Sequence, residues 1–124
     1  KFTDSNDLSL VAEKAANDCD VIYVPTDNTV ASCKETINSV VLPIGTPIFA
    51  GEEGICEGCG VATLSISYYQ LGYKTGEMAA QILTGEQNIS EMPIQYDENP
   101  VKKYNKEIAD ELGITIPEGY EAIE

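Results

Sequence analysis

The feature that most constrains this chain is a repeated change of period. Short continuous apolar runs, rich in β-branched residues, alternate with longer stretches whose apolar residues recur every three or four positions. Val21-Ile22-Tyr23-Val24, ended by Pro25, is the first clear run. Pro47-Ile48-Phe49-Ala50, stopped by Gly51, is the second, and Val61-Ala62-Thr63-Leu64-Ser65-Ile66 the third. Such runs read as strands of a buried parallel sheet. Phe2-Thr3 reads as the tail of another strand. Ile94-Gln95-Tyr96 is a weaker candidate, shortened by Pro93 and Pro100.

Between the runs the spacing is helical. Leu8, Val11, Ala12, Ala15 and Cys19 share one face, with Asn6 or Asp7 placed to cap the helix. Val30, Cys33, Ile37, Val40 and Val41 share the face of a second helix. Leu71, Thr75, Met78, Ala79, Ile82 and Leu83 do the same for a third, with Gly85 just past its end. A last short helix, from about Asn105 to Leu112, ends at Gly113. The predicted order, β-α-β-α-β-β-α-β-α, builds an α/β fold: a three-layer parallel sheet with flanking helices. A length of 124 residues allows one domain or one lobe of something larger. The loosest segments are 85–93 and 97–101.

Charge narrows the function classes. Seven basic residues against twenty-one acidic ones give 7 − 21 = −14, and there is no histidine. Nucleic acid is excluded as a partner, because phosphate binding needs clustered Lys and Arg. An anionic membrane surface is disfavoured for the same reason. The absence of His removes Ser-His and Cys-His nucleophile pairs and any His-ligated metal. No apolar run approaches the roughly 20 residues needed to span a bilayer.

In an open α/β sheet, ligands bind beyond the carboxyl ends of the strands. That rule selects four tips: Asp4-Ser5-Asn6, Pro25-Thr26-Asp27-Asn28-Thr29, Gly51-Glu52-Glu53-Gly54 and Ser67-Tyr68-Tyr69. Any one of them serves equally well as an ordinary polar turn. Four small, polar or aromatic tips on one edge favour a binding edge.

The segments VIYVPTDNTVAS, PIFAGEEG, GVATLSISYYQLGYKTGEMAAQILTGE and IQYDENPVKKYNKEIADELGITIP cover nearly the whole chain. Together they resemble the C-terminal part of ABC-transporter substrate-binding proteins of the tryptophan/tyrosine-binding type. The resemblance implies one lobe of the two-lobed, class I periplasmic-binding-protein fold. It implies a binding module rather than an enzyme, with no cofactor and no metal. Residues 1–100 would form the second, C-terminal lobe. Residues 101–124 would cross the hinge and pack on a first lobe that precedes this stretch in the family, itself preceded by a lipoprotein signal. The implied partners are a small-molecule ligand, an amino acid with an aromatic or apolar side chain, the missing N-terminal lobe and a membrane permease. The implied place is extracytoplasmic, as a cell-surface lipoprotein or a periplasmic protein. Without its other lobe, the apolar stripe Tyr104, Ile108, Leu112 and Ile114 would favour a dimer of the fragment or a re-docked tail.

Carried over residue by residue, the resemblance makes Ser5, Asn6, Thr26, Asp27, Asn28, Thr29, Glu52, Glu53, Ser67 and Tyr69 the candidate ligand-binding set. Free N–H groups at the helix start after Thr26-Asp27-Asn28-Thr29 would take the ligand carboxylate. The competing reading is that Asp27 or Asn28 simply caps that helix. Glu52 or Glu53 would take the ligand ammonium, or one of them is merely solvated. Ser67 stands where family members often carry Asp, which shifts the electrostatic duty toward Glu52 or Asp27. One of Tyr68 and Tyr69 would wall an aromatic ligand while the other packs.

Four cysteines complete the inventory. Cys19 and Cys33 read as buried free thiols on helix faces. Cys56-Glu57-Gly58-Cys59, among Gly54, Gly58 and Gly60, reads as a loop between strands, either disulfide-closed or carrying free thiols. Zinc would need two further ligands that the spacing does not supply. Two rival functions remain at this stage. One is a receiver-like signalling domain phosphorylated at Asp27. The other is a redox module using Cys56 and Cys59.

Overall fold

The computed structural model describes residues 4 and 7–123. The candidate strand at Phe2-Thr3, the tip residues Ser5 and Asn6 and the capping candidate Asn6 lie outside them. The chain divides into two compact units, one of residues 66–100, the other holding the described residues through Ser65 and from Val101 onward.

The larger unit carries the sheet. Its elements are α1 (Leu8–Asp18), β1 (Ile22–Val24), α2 (Asn28–Ser32), α3 (Lys34–Val41), a short 3₁₀ turn (Leu42–Ile44), β2 (Ile48–Ala50), α4 (Glu53–Cys59) and β3 (Ala62–Ser65). The smaller unit holds α5 (Tyr68–Leu83). The chain then returns to the larger unit as β4 (Val101–Tyr104), α6 (Lys106–Glu111) and β5 (Glu121–Ala122). The five strands lie in the order β1-β2-β3-β4-β5. All neighbouring pairs are parallel except β3 with β4. The fold is therefore mixed α/β with a mostly parallel sheet and flanking helices, the expected class.

Register explains the core. Ile22 pairs with Ile48, and Val24 with Ala50, which pairs onward with Thr63. Ile48, Ala50 and Thr63 are buried, and Ile22 and Val24 pack at the edge of the same cluster. On the alternate positions Tyr23, Phe49 and Leu64 stand exposed. Leu8 and Ala16 of α1, Val30 of α2, and Ile37 and Val41 of α3 complete the main cluster, with Ile55, Cys56 and Cys59 of α4. Ile55 and Cys56 show no exposed surface. Full burial of a side chain the size of Ile55 contributes about 1.5–3 kcal/mol.

A second cluster lies at the other end of the sheet. Val61, Ala62, Ile108 and Ala109 are buried there, with Tyr104, Leu112, Ile114, Ile116 and Tyr120 packed around them. The apolar residues of the C-terminal stretch thus find partners on β3 and on α6. The last helix starts and stops where its sequence predicts. The Asn105 side chain accepts the Ile108 N–H at its start, and Gly113 takes a left-handed φ of 65° just after its end. Lys102 lies over the Tyr120 ring, 5.8 Å from its centroid.

Four local expectations change. The second helix is two, α2 and α3, divided at Cys33, whose backbone leaves the helical region. The Cys56–Cys59 stretch is not a loop but the body of α4. Ile94-Gln95-Tyr96 is not a strand; Ile94 and Tyr96 are exposed, and no sheet partner takes the segment. The sheet instead recruits Val101–Tyr104, part of which reads as the loosest stretch of the sequence.

The buried residues make a stability contrast. Ile55→Ala should lower unfolding free energy by about 2–5 kcal/mol, the range for emptying a packed core position. Thr63 is buried with a hydroxyl that has no hydrogen-bond partner. Thr63→Val, which removes that orphan group at nearly constant shape, should leave stability unchanged or raise it. Denaturant unfolding of the two variants beside wild type measures both effects.

Candidate functional site

In the larger unit two of the tips selected by the strand-end rule, those after β1 and β2, lie side by side, and a glycine allows it. Gly51 follows β2 and donates its N–H to Val24 O at 2.7 Å. A Cβ on Gly51 would meet Thr26 N at 2.9 Å and Pro25 Cα at 3.1 Å. Only a residue without a side chain lets the two backbones approach this closely. The tips after β1 and β2 are thereby held together, with Thr26 Oγ1 donating a long bond of 3.5 Å to Gly51 O.

On the first tip Asp27 has extended backbone and caps α2. Its Oδ1 accepts the N–H groups of Thr29 (2.8 Å) and Val30 (2.9 Å). The capping reading therefore holds for Asp27, and two of the N–H groups expected to be free for a ligand carboxylate are occupied by its side chain. Asn28 is exposed and Thr29 half-buried beside it. A phosphorylated receiver aspartate needs its carboxylate presented to a phospho-donor, whereas this one is folded back onto the backbone.

On the second tip the two glutamates differ. Glu52 is the cap of α4, and its carboxylate accepts from Gly54 N at 2.9 Å and from Ile55 N. Glu53, one residue on, is turned to the sheet. Its Oε1 accepts from Lys103 Nζ at 2.7 Å and its Oε2 from Ser65 Oγ at 3.0 Å. The Lys103 hydrogen bond holds the Glu53 carboxyl below the usual glutamate range; partial burial opposes this, and Ser65 adds to it. Ser65 is buried, while the Glu53 side chain is 40% exposed and that of Lys103 27%. Sequence reasoning missed Lys103 and Ser65. The only available signals were that lysine is scarce in this chain and that Lys103 falls within a strand-length segment.

In the smaller unit Ser67 caps α5, its Oγ accepting Gln70 N at 3.2 Å. Its own N–H donates to Asp97 Oδ2 at 2.7 Å, and Asp97 Oδ1 accepts from Asn99 N at 3.0 Å. These two bonds lower the Asp97 pKa. A carboxylate thus stands at the start of α5 although Ser67 brings none, a second feature that the sequence reading missed. Tyr68 and Tyr69 are both exposed. A salt bridge of 2.5 Å joins Lys74 to Glu98.

The cysteines reverse their expected roles. Cys19 is exposed at the end of α1 and Cys33 half-buried, whereas Cys56 and Cys59 are buried and reduced. A disulfide at Cys56–Cys59 is corrected to two free thiols in one helix. Cys56 Sγ donates to Gly60 O and Cys59 Sγ to Ile55 O. Burial is the main cause that pushes the Cys56 thiol up to about 12 and the Cys59 thiol up to about 11. A redox cysteine needs an accessible, low-pKa thiolate, so the redox reading loses its site. Among the described residues no group of three or more His, Cys, Asp or Glu is placed to hold a metal ion. Among the same residues no helix is long and apolar enough to cross a membrane.

Comparison with known proteins converges on one family. The profile described as "ABC transporter substrate binding protein" matches residues 1–122. A "Tyrosine-binding protein" of Clostridioides difficile (strain R20291) is 33% identical over 90 residues, 73% of this chain and 26% of that protein. Among solved structures, a ligand-free, open substrate-binding protein with adhesive properties from Clostridium difficile aligns at TM-score 0.76 and 34% identity. It covers 99% of this chain and 42% of its own. An ABC domain from Streptococcus pneumonia in complex with L-Trp aligns at TM-score 0.81 and 32% identity, over 98% of this chain and 43% of its own. The chain spans about a quarter of the curated relative and about two fifths of the solved chains.

Two measurements check the site's local chemistry. In the native state a thiol reagent should label Cys19 first and Cys33 more slowly, and reach Cys56 and Cys59 only on unfolding; mass mapping after timed quenching reads this order. Asp27→Ala should cost about 0.5–2 kcal/mol of stability, the usual loss for a cap, read from the same denaturant curves as above.

Proposed function

This chain belongs to the ABC-transporter substrate-binding proteins, and from that premise we propose that it is one lobe of an extracytoplasmic receptor that closes around an amino acid with an aromatic or apolar side chain and delivers it to a membrane permease. The single observation that carries the reading is the meeting of two strand tips at Gly51. It sets Thr26–Thr29 and Glu52–Glu53 on one edge of the sheet. A second lobe, contributed by sequence outside residues 1–124, would face that edge, and hinge closure would trap the ligand. The C-terminal stretch 101–124, expected to cross the hinge and pack on the first lobe, is held in the larger unit by β4, α6 and β5, and in the whole protein it would lie beside the hinge. The protein would stand outside the cytoplasm, as a lipoprotein or in a periplasm.

Relatives supply the ligand class: one is named for tyrosine, another was solved with L-Trp. The chemistry of the edge agrees with a zwitterion. Asn28 and Thr29 offer neutral donors toward a carboxylate. Glu52 is turned to its own helix cap and Glu53 to Ser65 and Lys103, and of the two we assign Glu53 to the ammonium. A net charge of −14 would repel a bare anion, so local donors are needed wherever the carboxylate sits.

Calorimetry on the full-length protein with L-tyrosine and L-tryptophan tests the proposal. Asn28→Ala and Thr29→Ala should each weaken binding by about 1–3 kcal/mol, the range for losing a hydrogen bond to a charged group. Glu57→Ala, whose partner is Lys34 of α3, should change affinity little. If both tip variants bind as wild type does, the edge is not the site. If a sugar or nucleoside binds and no amino acid does, the substrate class is wrong.

A further inference from the structure

We infer that Lys103 is a positioning residue for ligand recognition: with Ser65 it fixes the Glu53 carboxylate as the acceptor for the ligand's α-ammonium, so that the site selects amino acids whose amino group is free. The inference rests on the amino-acid reading above and goes beyond it by naming the residues that set its selectivity.

Lys103 and Glu53 are fifty positions apart in sequence, on β4 and at the start of α4. Each Glu53 oxygen has one tether, Lys103 on Oε1 and Ser65 on Oε2. A carboxylate oxygen accepts in more than one direction, so both retain acceptor capacity. With 40% of the side chain exposed, the tethered carboxylate remains within reach of solvent and of a ligand. Glu52 is tethered differently: its two oxygens accept from Gly54 N and Ile55 N of its own helix, which directs it to the cap, whereas Glu53 is directed by groups of β3 and β4.

Lys103 also answers an electrostatic problem. Glu53 adjoins Glu52 in a chain of net charge −14, and the Lys103 ammonium on β4 offsets that crowding of acids and fixes the direction of the carboxylate. The polar character continues along the sheet. Thr63, paired in register with Lys103, is buried and its hydroxyl has no partner. Ser65 follows two positions on, on the same side of β3.

The test uses the full-length protein and calorimetry with L-tyrosine, L-tryptophan and N-acetyl-L-tyrosine. Wild type should bind the free amino acids and discriminate strongly against the acetylated one. Lys103→Met should weaken L-tyrosine binding by about tenfold or more, the scale of a charge-assisted contact. Its affinity for N-acetyl-L-tyrosine should not change, so the discrimination collapses. Lys103→Arg should restore it. A merely structural role would lower both affinities together and would not be rescued by charge. Should Lys103→Met fail to fold, Ser65→Ala removes the second tether and should erode the same discrimination by a smaller factor. Lys103→Met binding that keeps the wild-type preference overturns the inference and leaves the amino-acid reading standing. N-acetyl-L-tyrosine bound as tightly as L-tyrosine by wild type does the same. If wild type binds neither free amino acid, the amino-acid reading itself falls and the inference falls with it.

Discussion

The seating of α4 against the sheet is the contact on which the rest depends. Ile55, Cys56 and Cys59 are the most deeply buried residues of their segment, and α4 touches α2, α3, β2, β3 and β4. That packing turns a glycine-rich stretch into a helix. In isolation, seven residues with Gly54 and Gly58 among them would be a marginal helix at best. Once α4 is seated, its first turn follows directly. Glu52 caps it, Glu53 is directed at Ser65 and Lys103, and the tip after β2 lies against the tip after β1. The thiols are part of this mechanism as small apolar groups, which explains why their ionisation is driven out of the useful range.

Scarcity of cations shapes the electrostatics. The seven basic residues are all lysine, set against twenty-one acids. Lys14 and Lys106 pair with an acid four residues along their own helices, at exposed sites where such pairs contribute little. Lys34, Lys74 and Lys103 instead join segments distant in sequence and are about a quarter exposed. Among the described residues, Lys103 alone forms a salt bridge with a carboxylate at a strand tip on the candidate edge. Because Glu53 has a lowered pKa, this pair favours the folded state above the ordinary glutamate pKa, and that contribution fades as pH falls through the lowered value.

What could be read in the sequence followed the strength of local signals. β1, β2 and β3 were legible because each is a continuous apolar run closed by Pro, Gly or a polar tip. α5 and α6 were legible because a 3.6-residue period ends at a glycine with positive φ, Gly85 or Gly113. The chain Val101-Lys102-Lys103-Tyr104 was not, because its strand character comes from pairing with β3 and not from its own composition. The break at Cys33 was hidden by an apolar period that runs across it. At the binding edge the order of residues showed Thr26–Thr29 and Glu52–Glu53, since the strand-end rule needs only local elements. It could not show Ser65 or Lys103 there, nor Asp97 in the smaller unit, whose parts depend on partners thirty to fifty positions away or, for Ser65, on which way a glutamate turns.

These points combine at Gly51. A strand tip is a useful ligand edge only if neighbouring tips present their groups at one place, and adjacent parallel strands lie about 4.8 Å apart before any loop is added. A side chain at position 51 would push the loop after β1 away by contact with Thr26 N and Pro25 Cα. The Gly51 N–H to Val24 O bond, which extends the β1–β2 ladder one step past β2, would be lost with it. Asp27 and Glu53 would then sit on separate loops, each still satisfied by its own cap or ion pair. The core, buried under α3 and α4, would remain. Fold and site are thus separable in this lobe. Apolar burial specifies the sheet, while one missing Cβ specifies that its two tips act as a single edge.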